Sequence, residues 1–545
     1  MGQRVSETER KYEAAADDTA TPPDLDALPG VAGVRTPEPD RLDAVYYDTA
    51  DLALGAHRIT LRRRTGGQDA GWHLKLPTAQ ADTRTEVRVP LGTSTGKPPK
   101  ELRTEVSAVV RGRRLAPAVR LRTTRRRTLL LDGAGRTLAE IAYDEVRADL
   151  RAAAGAEPGE GPELVAGSGQ ARGRSWVPGV AWTETEVELY EGAPELLDAV
   201  EERLLAAGLH RSGSGSKLAY ALGDRLVPLP RPPAEPSTAG QTATAYLYAQ
   251  LTAVLALDPA VRRAEEDAVH RMRVATRRAR SALKSFRREL DRKVTDPLGD
   301  ELKWLAGVLG MERDREVLAE RLARRRGELD PGLVSEELRR RLALEPMGSS
   351  GAVPVAAGTS MEAAPVTVLP RPDPHAGVVH ELDGPRYFAL LDALEALLTT
   401  PPYRLPAADA PAREAAAATV RRDHDRLRTA VESALAMPPG AERDTALHEA
   451  RKDAKRARYS SEAAEPVLAA RATQHTVRMK AMQQLLGEHQ DSFMCRAAVA
   501  TLRRQAVAAG EDPAPYDAID TRERELAADV EAILPVVWSQ ANRPV

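Results

Sequence analysis

We expect neither disulfide bridges, nor membrane spans, nor a targeting peptide in this sequence of 545 residues. The single cysteine, Cys495, cannot form an intramolecular disulfide and suits a reducing compartment. No apolar run approaches the roughly 18 residues of a transmembrane helix, and the first residues lack the basic-then-apolar pattern of a signal peptide. We therefore expect a soluble, cytoplasmic protein without a membrane partner.

Aromatic residues are scarce, at 4% of the chain, and neither sign of charge predominates. The 78 Lys and Arg residues nearly balance the 80 Asp and Glu residues, which gives a formal net charge of −2. A basic field over the whole protein is therefore excluded, and any polyanion must bind to a local cluster of cations. The length exceeds what one compact core accommodates and predicts about two to four domains.

Residues 1–226 consist mainly of short segments of alternating polarity, separated by Gly, Pro or Asp. This pattern is typical of β-strands, and about eight such segments suffice to close an antiparallel barrel. One amphipathic helix is predicted near the end of this region, over 193–208. The Pro-rich spacer 227–241 then marks a domain boundary.

From residue 242 onward, apolar residues recur three and four positions apart, which predicts amphipathic helices. Residues 345–379 interrupt this pattern with Gly, Pro, Ser and Ala, so we expect a flexible linker or an insertion there. The predicted fold class is an α+β multidomain protein, with a β-barrel followed by an all-α region.

The helical region contains an internal repeat. Four basic positions recur 178 residues later: His270 as His448, Arg273 as Arg451, Arg277 as Lys455 and Arg280 as Arg458. Two further positions recur 177 residues later: Gly310 as Gly487 and Asp314 as Asp491. A nearly constant offset over these positions predicts two homologous helical bundles, over 242–344 and 380–545.

Many of the predicted strands carry charged residues on one face, because alternate residues of a strand share a face. On the first and last strands these residues are mainly carboxylates: Glu7, Glu9, Lys11, Glu184, Glu186 and Glu188. On the middle strands they are mainly bases: Arg62, Arg64, His73, Lys75, Arg84, Glu86, Arg88, Arg125 and Arg127.

Two arrangements explain such strands. An antiparallel sheet with one face in water normally carries charges on that face, whereas a closed barrel would turn them inward around a highly charged ligand. The separation of carboxylates from bases favours the barrel, with Arg and Lys binding a phosphate chain on one wall. Carboxylates on the other wall would hold Mg²⁺ or Mn²⁺, which polarise the scissile P–O bond.

The motif Glu7-x-Glu9-x-Lys11 resembles the ExExK signature of the CYTH superfamily, the triphosphate tunnel metalloenzymes. Seven further segments match the pattern of that family, in order: YYDT at 46–49, LRRR at 61–64, LKLP at 74–77, RTEVRV at 84–89, AYDEV at 142–146, ETEVEL at 184–189 and SK at 216–217. The resemblance implies an eight-stranded antiparallel tunnel that hydrolyses triphosphate-containing substrates with a divalent metal.

The resemblance also implies roles for individual residues. Glu7, Glu9 and Lys11 would take part in catalysis. The metal ions would be surrounded by Glu7, Glu9, Glu184, Glu186 and Glu188. The phosphates would be bound by Arg62, Arg64, Lys75, Arg88, Arg125, Arg127 and Lys217.

Members of the family act on inorganic triphosphate, thiamine triphosphate, RNA 5′-triphosphate or, by cyclisation, ATP. A nucleoside or thiamine ring needs an aromatic platform, and no aromatic pair can be assigned to one. Inorganic triphosphate is therefore the expected substrate, with thiamine triphosphate and ATP as alternatives. A tunnel that binds polyphosphate without turnover is a further alternative, against which the complete set of carboxylates argues.

The repeated basic positions lie three or four residues apart and therefore share a helix face. Two stripes result: His270, Arg273, Arg277, Arg280 and Lys284 on one helix, and His448, Arg451, Lys452, Lys455 and Arg458 on another. A solvated basic face would explain a single stripe. Recurrence in both repeats favours one shared pocket for a long polyanion, with strongly salt-dependent affinity.

This half of the chain resembles the CHAD domain, the conserved-histidine α-helical domain. Four segments carry the resemblance: AVHRMRVATRRARSALKSF from 268, LKWLAGVLGMERDREVL from 302, ALHEARKDAKRARYSSE from 446 and QQLLGEHQD from 483. It implies binding of inorganic polyphosphate between two four-helix bundles, and association with polyphosphate granules is a corresponding expectation. Gln490 departs from the repeat, since it stands where Arg313 stands in the first bundle.

Nucleic acid is the main competing ligand for the helical half, because its phosphate backbone suits the same stripes. Against it, few aromatic residues lie among the basic ones for base stacking, and no recognisable reading motif is present. A metal site at His270 and His448 is disfavoured because neither has carboxylate partners at ligand spacing. Nucleophilic catalysis by Cys495 is disfavoured because no histidine partner can be identified.

Overall fold

The computed structural model describes residues 2–14, 25, 28–80, 82–92, 96–151, 176–343 and 374–543, with side chains except at 311–316 and 374. Most of the predicted linker 345–379 and the side chain of Arg313 therefore lie outside the described residues. The chain forms two compact units, Met1–Leu229 and Pro230–Val545.

Within the described part of the first unit, the strands form a single ten-stranded sheet in which every pairing is antiparallel. The strands are β1 Gln3–Ala14, β2 Gly33–Arg35, β3 Asp40–Asp48, β4 Thr60–Thr65, β5 Gly71–Pro77, β6 Thr83–Val89, β7 Ala116–Leu131, β8 Thr137–Arg151, β9 Trp176–Leu189 and β10 Leu209–Arg211. Their order is β10-β1-β6-β5-β4-β3-β7-β8-β9, with β2 beside β7, and β1 also pairs with β9. The eight longer strands thus close on themselves, and the predicted eight-stranded antiparallel barrel is confirmed.

Apolar residues on the outer face of these strands are covered by helices. The helices are α1 Ala53–Ala56, α2 Lys100–Glu105, α3 Ser107–Val110, α4 Pro194–Ala206, which is the helix predicted over 193–208, and α5 Lys217–Leu222. Leu61 and Leu74 pack with residues of α1, α2 and α3, and Ile141 and Val187 pack with residues of α4. A further core cluster lies on the inward face, where Leu121, Val146 and Trp182 pack with residues of α5. The rest of the barrel interior is left to the charged residues of the strands.

The second unit is helical throughout its described length. Its helices are α6 Ala239–Arg262, α7 Ala268–Ser285, α8 Arg292–Val308, α9 Gly310–Gly327, α10 Glu336–Leu342, α11 Pro374–Leu382, α12 Pro385–Thr399, α13 Ala412–Ala436, α14 Ala441–Leu468, α15 Ala470–Ala508 and α16 Ala514–Ala541. α6 begins within the predicted spacer 227–241, where the side chain of Thr238 accepts a hydrogen bond from the backbone N–H of Gln241 and caps the helix. α11 likewise begins within the predicted linker.

Two four-helix bundles are present, but their composition differs from the predicted boundaries. The second bundle is α13–α16, whereas the first consists of α6, α7, α8 and α12. The Tyr387 hydroxyl on α12 donates to Asp258 on α6 at 3.1 Å, and Arg386 lies 2.7 Å from Glu301 on α8. The predicted second repeat, 380–545, thus includes α12, whose buried residues pack against helices of the first bundle.

The two repeats also differ at their glycines. α8 and α9 together correspond to α15, yet the first pair is interrupted by a turn at Leu309, whereas α15 continues through Gly487. Leu318 and Leu322 of α9 then pack with Leu502 of α15 and Ile519 of α16. The helix that follows Gly310 thus packs against the second bundle.

Candidate active site and basic cluster

The inside of the barrel is a cavity of about 170 Å³ with a mainly charged lining. Since one water needs about 10–15 Å³ of such volume, the cavity has room for roughly ten water-sized groups. Each of the eight longer strands contributes to the lining. The charged residues are Glu7, Glu9, Lys11, Asp40, Arg62, Arg64, Asp69, Lys75, Arg84, Glu86, Arg88, Arg125, Arg127, Glu140, Glu186, Glu188 and Lys217.

Carboxylates of three neighbouring strands form one side of the barrel interior, here called the acidic wall. Its members are Glu7 and Glu9 of β1, Glu140 and Asp144 of β8, and Glu184, Glu186 and Glu188 of β9. Glu188 stands directly opposite both Glu9 and Glu140, and Asp144 stands directly opposite Glu184. Because like charges directly opposite one another destabilise a sheet, this wall needs cations beside it.

Lys217 is one such cation, although the resemblance assigns it to phosphate binding. Its Nζ lies 2.6 Å from carboxylate oxygens of both Glu184 and Glu186, and 3.0 Å from Asp144. The side chain of Ser216 caps α5, so that Lys217 begins the helix at the end of the acidic wall. In the structure, Lys217 therefore neutralises three carboxylates.

Lys75 and Lys11 neutralise the β1 carboxylates. The Nζ of Lys75 lies 2.6 Å from Glu7 and 3.1 Å from Glu9, and the Nζ of Lys11 lies 3.6 Å from Glu9. Burial alone would raise the pKa of Glu9, but these two lysines outweigh burial and lower it to about 2. Glu9 is therefore ionised at neutral pH.

Glu188 differs from Glu9, although the two face each other. Burial and the neighbouring charge of Glu7 raise the pKa of Glu188 to about 7. Burial also raises the pKa of Glu7. The acidic wall therefore combines a carboxylate that is always charged with one that titrates near neutrality.

Arginines of β4, β6 and β7 form the remaining charged side of the cavity, here called the basic wall: Arg62, Arg64, Arg84, Arg88, Arg125 and Arg127. Arg88 lies 2.7 Å from Glu7, and Arg125 lies 2.6 Å from both Asp144 and Glu186. The two walls are thus joined by ion pairs.

Two arginines of β4 lie away from the acidic wall. The Nη1 of Arg62 donates to the hydroxyl of Tyr46 at 3.3 Å, and Arg64 pairs with Asp69 of the β4–β5 turn. Burial and the nearby guanidinium groups of Arg62 and Arg125 lower the pKa of Arg64 to about 9. An anion bound beside Arg62 and Arg64 would relieve this repulsion.

The acidic wall contains a group of residues that could hold a metal ion. Asp144, Glu184 and Glu186 each offer one oxygen, and these oxygens lie within 4.8 Å of one another. Carboxylate oxygens are the ligands that Mg²⁺ and Mn²⁺ prefer, so the donor set fits such an ion. Two of the three residues belong to the predicted metal set, whose other members lie on the same wall outside this group.

Five further acidic residues, to which the sequence pattern gave no role, lie in the barrel interior: Asp40, Asp69, Glu86, Glu140 and Asp144. Glu140 and Asp144 lie on the inward face of β8. The alternation of residues along that strand could therefore have predicted that both face the cavity. Glu86 is held by the Nδ1 of His73 at 2.9 Å. Asp69 lies in a turn, where no alternation exists to predict its direction.

In the helical unit, α7 and α14 pack against each other and bring the two predicted stripes together. Burial and the nearby charges of Arg451, Arg277 and Arg273 hold the pKa of Lys455 well below its usual range. These four residues are here called the basic cluster. Asp491 lies 3.9 Å from Arg451.

The other residues of the stripes extend this cluster. Burial lowers the pKa of Arg280 and of Lys284. The Nδ1 of His448 donates to Gln490, so the residue that departs from the repeat holds the histidine of the second stripe. His270 lies in the first turn of α7.

Two residues of the second stripe pair with carboxylates of their own helix. The Nζ of Lys452 lies 2.7 Å from Glu449, and the Nε of Arg458 lies 2.9 Å from Glu462. These two cations are therefore less available to a ligand than the members of the basic cluster.

In the described part of the helical unit, one group of side chains has the spacing of metal ligands: Asp444, His489 and Glu531. Neither His270 nor His448 belongs to it. Cys495 is fully buried, and burial raises the pKa of its thiol to about 12, which makes it a poor nucleophile. Among the described residues, no helix is long and apolar enough to cross a membrane.

Comparison with protein families assigns both halves of the chain. The CYTH domain matches residues 6–219, and the CHAD domain matches residues 245–500. CYTH domains are those of the triphosphate tunnel metalloenzymes, whose members are triphosphatases or cyclases that use divalent metals. The first half of the chain is therefore a domain of the metal-dependent phosphoryl-transfer class.

One relative is similar over nearly the whole chain, and two solved structures are similar over little more than half of it. An uncharacterized protein of Mycobacterium tuberculosis, from strains CDC 1551 / Oshkosh and ATCC 25618 / H37Rv, is 36% identical over 535 residues, 96% of this chain and 94% of the relative. Among solved structures, PptA from Streptomyces chartreusis is 24% identical, with 56% of this chain and 99% of that chain covered and a TM-score of 0.41. The CHAD domain from the plant Ricinus communis is 21% identical, with 58% and 96% covered and a TM-score of 0.42. The chain belongs to the CYTH–CHAD family, with a CYTH triphosphate tunnel in its first unit and a CHAD domain in its second.

Proposed function

We propose that the CYTH tunnel hydrolyses inorganic triphosphate with Mg²⁺ or Mn²⁺, and that the CHAD domain binds inorganic polyphosphate. The observation that carries the first proposal is the division of one barrel interior into an acidic wall, with carboxylates directly opposite one another, and a basic wall of arginines. A phosphate chain beside the arginines and cations beside the carboxylates would neutralise both walls.

The chain's own residues would bind and orient the substrate. Arg62 and Arg64 would donate to phosphoryl oxygens, since Arg presents several N–H groups in a fixed plane. When bound, the divalent ion supplies charge stabilisation at the phosphoryl oxygens. Glu188, with a pKa of about 7, can take up or release a proton at its carboxylate at neutral pH.

The lining favours a substrate without an organic ring over thiamine triphosphate or ATP. The aromatic residues of the described lining are Tyr46 and Tyr190. Tyr46 is buried and its hydroxyl accepts from Arg62, whereas Tyr190 is 53% exposed at the cavity. A stacking platform would need an accessible pair of rings, and these two tyrosines do not provide one.

The test is release of phosphate from inorganic triphosphate by the full chain, with and without Mg²⁺ or Mn²⁺. Wild type should require the metal, and Glu9→Ala should lose activity by about 100-fold or more because Glu9 bears fixed negative charge in the cavity. Glu145→Ala is the matched control, since Glu145 is 53% exposed on the outer face of β8 and pairs with Arg126. It should retain wild-type activity.

The outcomes separate the alternatives. Without metal-dependent release by wild type, the enzyme proposal fails and a tunnel that binds polyphosphate without turnover remains. Faster release from thiamine triphosphate, or formation of cyclic nucleotide from ATP, would retain the metalloenzyme and change its substrate.

The polyphosphate proposal rests on the basic cluster, in which Lys455 is surrounded by arginines of both repeats. The test compares affinity for long-chain polyphosphate between wild type and a variant in which His270, Arg273, His448 and Lys455 are all alanine. That variant should lose binding, and the wild-type affinity should fall linearly with salt on logarithmic axes. The control exchanges four exposed arginines for alanine: Arg292, Arg503, Arg522 and Arg524.

Unchanged affinity in the cluster variant would contradict the shared pocket. Tighter binding of single-stranded nucleic acid than of polyphosphate, at equal charge and salt, would make nucleic acid the ligand. Loss of binding in the control variant as well would show a general dependence on positive charge, which contradicts a built site.

A further inference from the structure

In each repeat of the helical domain, a glycine lies beside the guanidinium group of an arginine. A Cβ atom built on Gly310 would lie 2.9 Å from the Nη2, 3.0 Å from the Cζ and 3.1 Å from the Nε of Arg273. A Cβ atom built on Gly487 would lie 3.6 Å from the Nε and Nη2 of Arg451. Since Gly487 is the repeat of Gly310 and Arg451 is the repeat of Arg273, the same contact occurs once in each half of the domain.

The helix backbone does not require glycine at these positions. Gly310 begins α9 and Gly487 lies within α15, and neither has a positive φ. Glycine is the poorest helix former after proline. Alanine would therefore be more favourable at both positions unless its methyl group clashed with a neighbouring side chain. The methyl group would meet the guanidinium of an arginine in both cases, and that guanidinium is the far end of a flexible side chain.

An added methyl group would therefore move an arginine more readily than it would disturb the fold. At Gly310 the methyl would be too close to the guanidinium, which must then leave its present place. At Gly487 the distance is that of ordinary van der Waals contact, so the methyl group would touch the Arg451 guanidinium without displacing it. Both arginines lie close enough to Lys455 to act on its charge, so their placement determines the shape of the basic cluster.

We propose that Gly310 is a positioning residue that seats Arg273 against the helix backbone, and that Arg273 and its repeat Arg451, which lies beside Gly487, form a pair of phosphate subsites, one on each repeat. The inference rests on the proposed polyphosphate binding and specifies its ligand class. Two subsites from separate repeats suit a linear polyanion that reaches both, rather than a single phosphate. Orthophosphate should therefore compete poorly with long-chain polyphosphate.

The experiment measures the affinity of the full chain for long-chain polyphosphate at several salt concentrations, together with the melting temperature. Gly310→Ala should weaken binding by about tenfold and reduce the slope of log K against log salt by about 0.7–0.9, the value for one lost phosphate contact. Its melting temperature should not fall, because alanine is the better helix former. Gly487→Ala should bind as wild type does, because its methyl group would only touch Arg451.

Gly307→Ala is the matched control, because Gly307 lies in α8, one turn before Gly310, and nothing lies within 4 Å of a Cβ built on it. It should bind as wild type does. The second control repeats Gly310→Ala in an Arg273→Ala background, where the methyl group should have no further effect on binding. An equal loss in that background would overturn the inference, since the glycine would then act through the fold.

The inference and the function on which it rests fail in different ways. If wild type does not bind long-chain polyphosphate, the proposed function fails. If wild type binds and Gly310→Ala retains its affinity and salt slope, the function stands and the positioning role of Gly310 is refuted. Orthophosphate should not displace polyphosphate when both are present at the same concentration of phosphate groups. Displacement under these conditions would refute the paired subsites.

Discussion

The Nζ of Lys75 lies 2.6 Å from a carboxylate oxygen of Glu7. The same ammonium also reaches Glu9, at 3.1 Å, so one cation of the chain occupies the space beside two predicted metal ligands. A triphosphate in the tunnel would compete for Lys75, and its departure would free both carboxylates for a metal ion. Metal and triphosphate should therefore strengthen each other's binding, and by linkage the effect must be reciprocal.

Lys75→Met tests this coupling. Without the ammonium, Glu7 and Glu9 lose a partner, so Mn²⁺ in the absence of triphosphate should bind about tenfold more tightly than to wild type. Triphosphate in the absence of metal should bind more weakly. Both affinities are measured by calorimetry, with Arg126→Met as control because Arg126 is 56% exposed on the outer face of β7. Weaker Mn²⁺ binding by Lys75→Met would contradict the competition.

Glu188 should make metal binding depend on pH. Burial and Glu7 raise its pKa to about 7, so it is mainly neutral below pH 7 and mainly charged above. Because the charged form is the metal ligand, Mn²⁺ affinity should rise by roughly tenfold between pH 6 and pH 8. Glu188→Gln should flatten this rise. The same pH dependence in the variant would show that another group titrates.

Lys455→Met should separate stability from binding. Burial and three arginines hold the pKa of Lys455 well below its usual range, so its charge destabilises the folded protein at neutral pH. The variant should raise the free energy of unfolding by about 1 kcal/mol or more and weaken polyphosphate binding by about tenfold. Wild type should gain stability as the pH rises toward the ordinary pKa of lysine, and the variant should lack that gain.

The control for this prediction is Lys452→Met, on the same helix. Lys452 is 39% exposed and pairs with Glu449, and such surface pairs contribute little to stability. Urea denaturation and polyphosphate affinity should both remain close to wild type. A destabilised Lys455→Met variant would show that the lysine has a structural role in the cluster.

Glu523 should be essential to the stability of the helical unit. It is fully buried on α16, and its carboxylate lies 2.6 Å from Arg321 and 2.7 Å from Arg325 of α9. Glu523→Gln would remove the buried counter-charge that two guanidinium groups share, leaving only the partly exposed Glu488 beside Arg321 and Glu328 beside Arg325, which should cost about 1–3 kcal/mol in urea denaturation. Glu525→Gln is the control, because that residue pairs with Arg522 at the surface, and it should be unchanged. Equal curves for the two variants would contradict the prediction.

The inward face of the barrel could be predicted because strand parity is a local property. Once eight strands close, every second residue must face the inside, which places Glu9, Glu186 and Glu188 together. The pairing of charges could not be predicted in this way. Lys217 reaches Asp144 from α5, a helix outside the alternating pattern, and that contact depends on how the helix packs.

The helical region shows the same limit. The apolar periodicity of α12 predicts an amphipathic helix, but it does not identify the surface that the helix covers, and two similar bundles offer two similar surfaces. The repeat offset aligned Gly310 with Gly487 and Arg273 with Arg451 from sequence. The contact between each glycine and its arginine depends on the distance between two helices. Residue spacing along the sequence does not determine that distance.

Most of the hydrophobic core of the CYTH unit lies between the outer face of the barrel and helices α1–α4, whereas an inward-facing cluster with Leu121, Val146 and Trp182 packs with α5. Along the rest of the strands, residues that maintain the fold and residues that would contact the substrate occupy opposite faces. A change of a charged inward residue therefore alters the chemistry of the tunnel without removing an apolar core contact. Substrate preference in such a barrel can thus diverge during evolution through these charged positions, while the apolar pattern continues to specify the same fold.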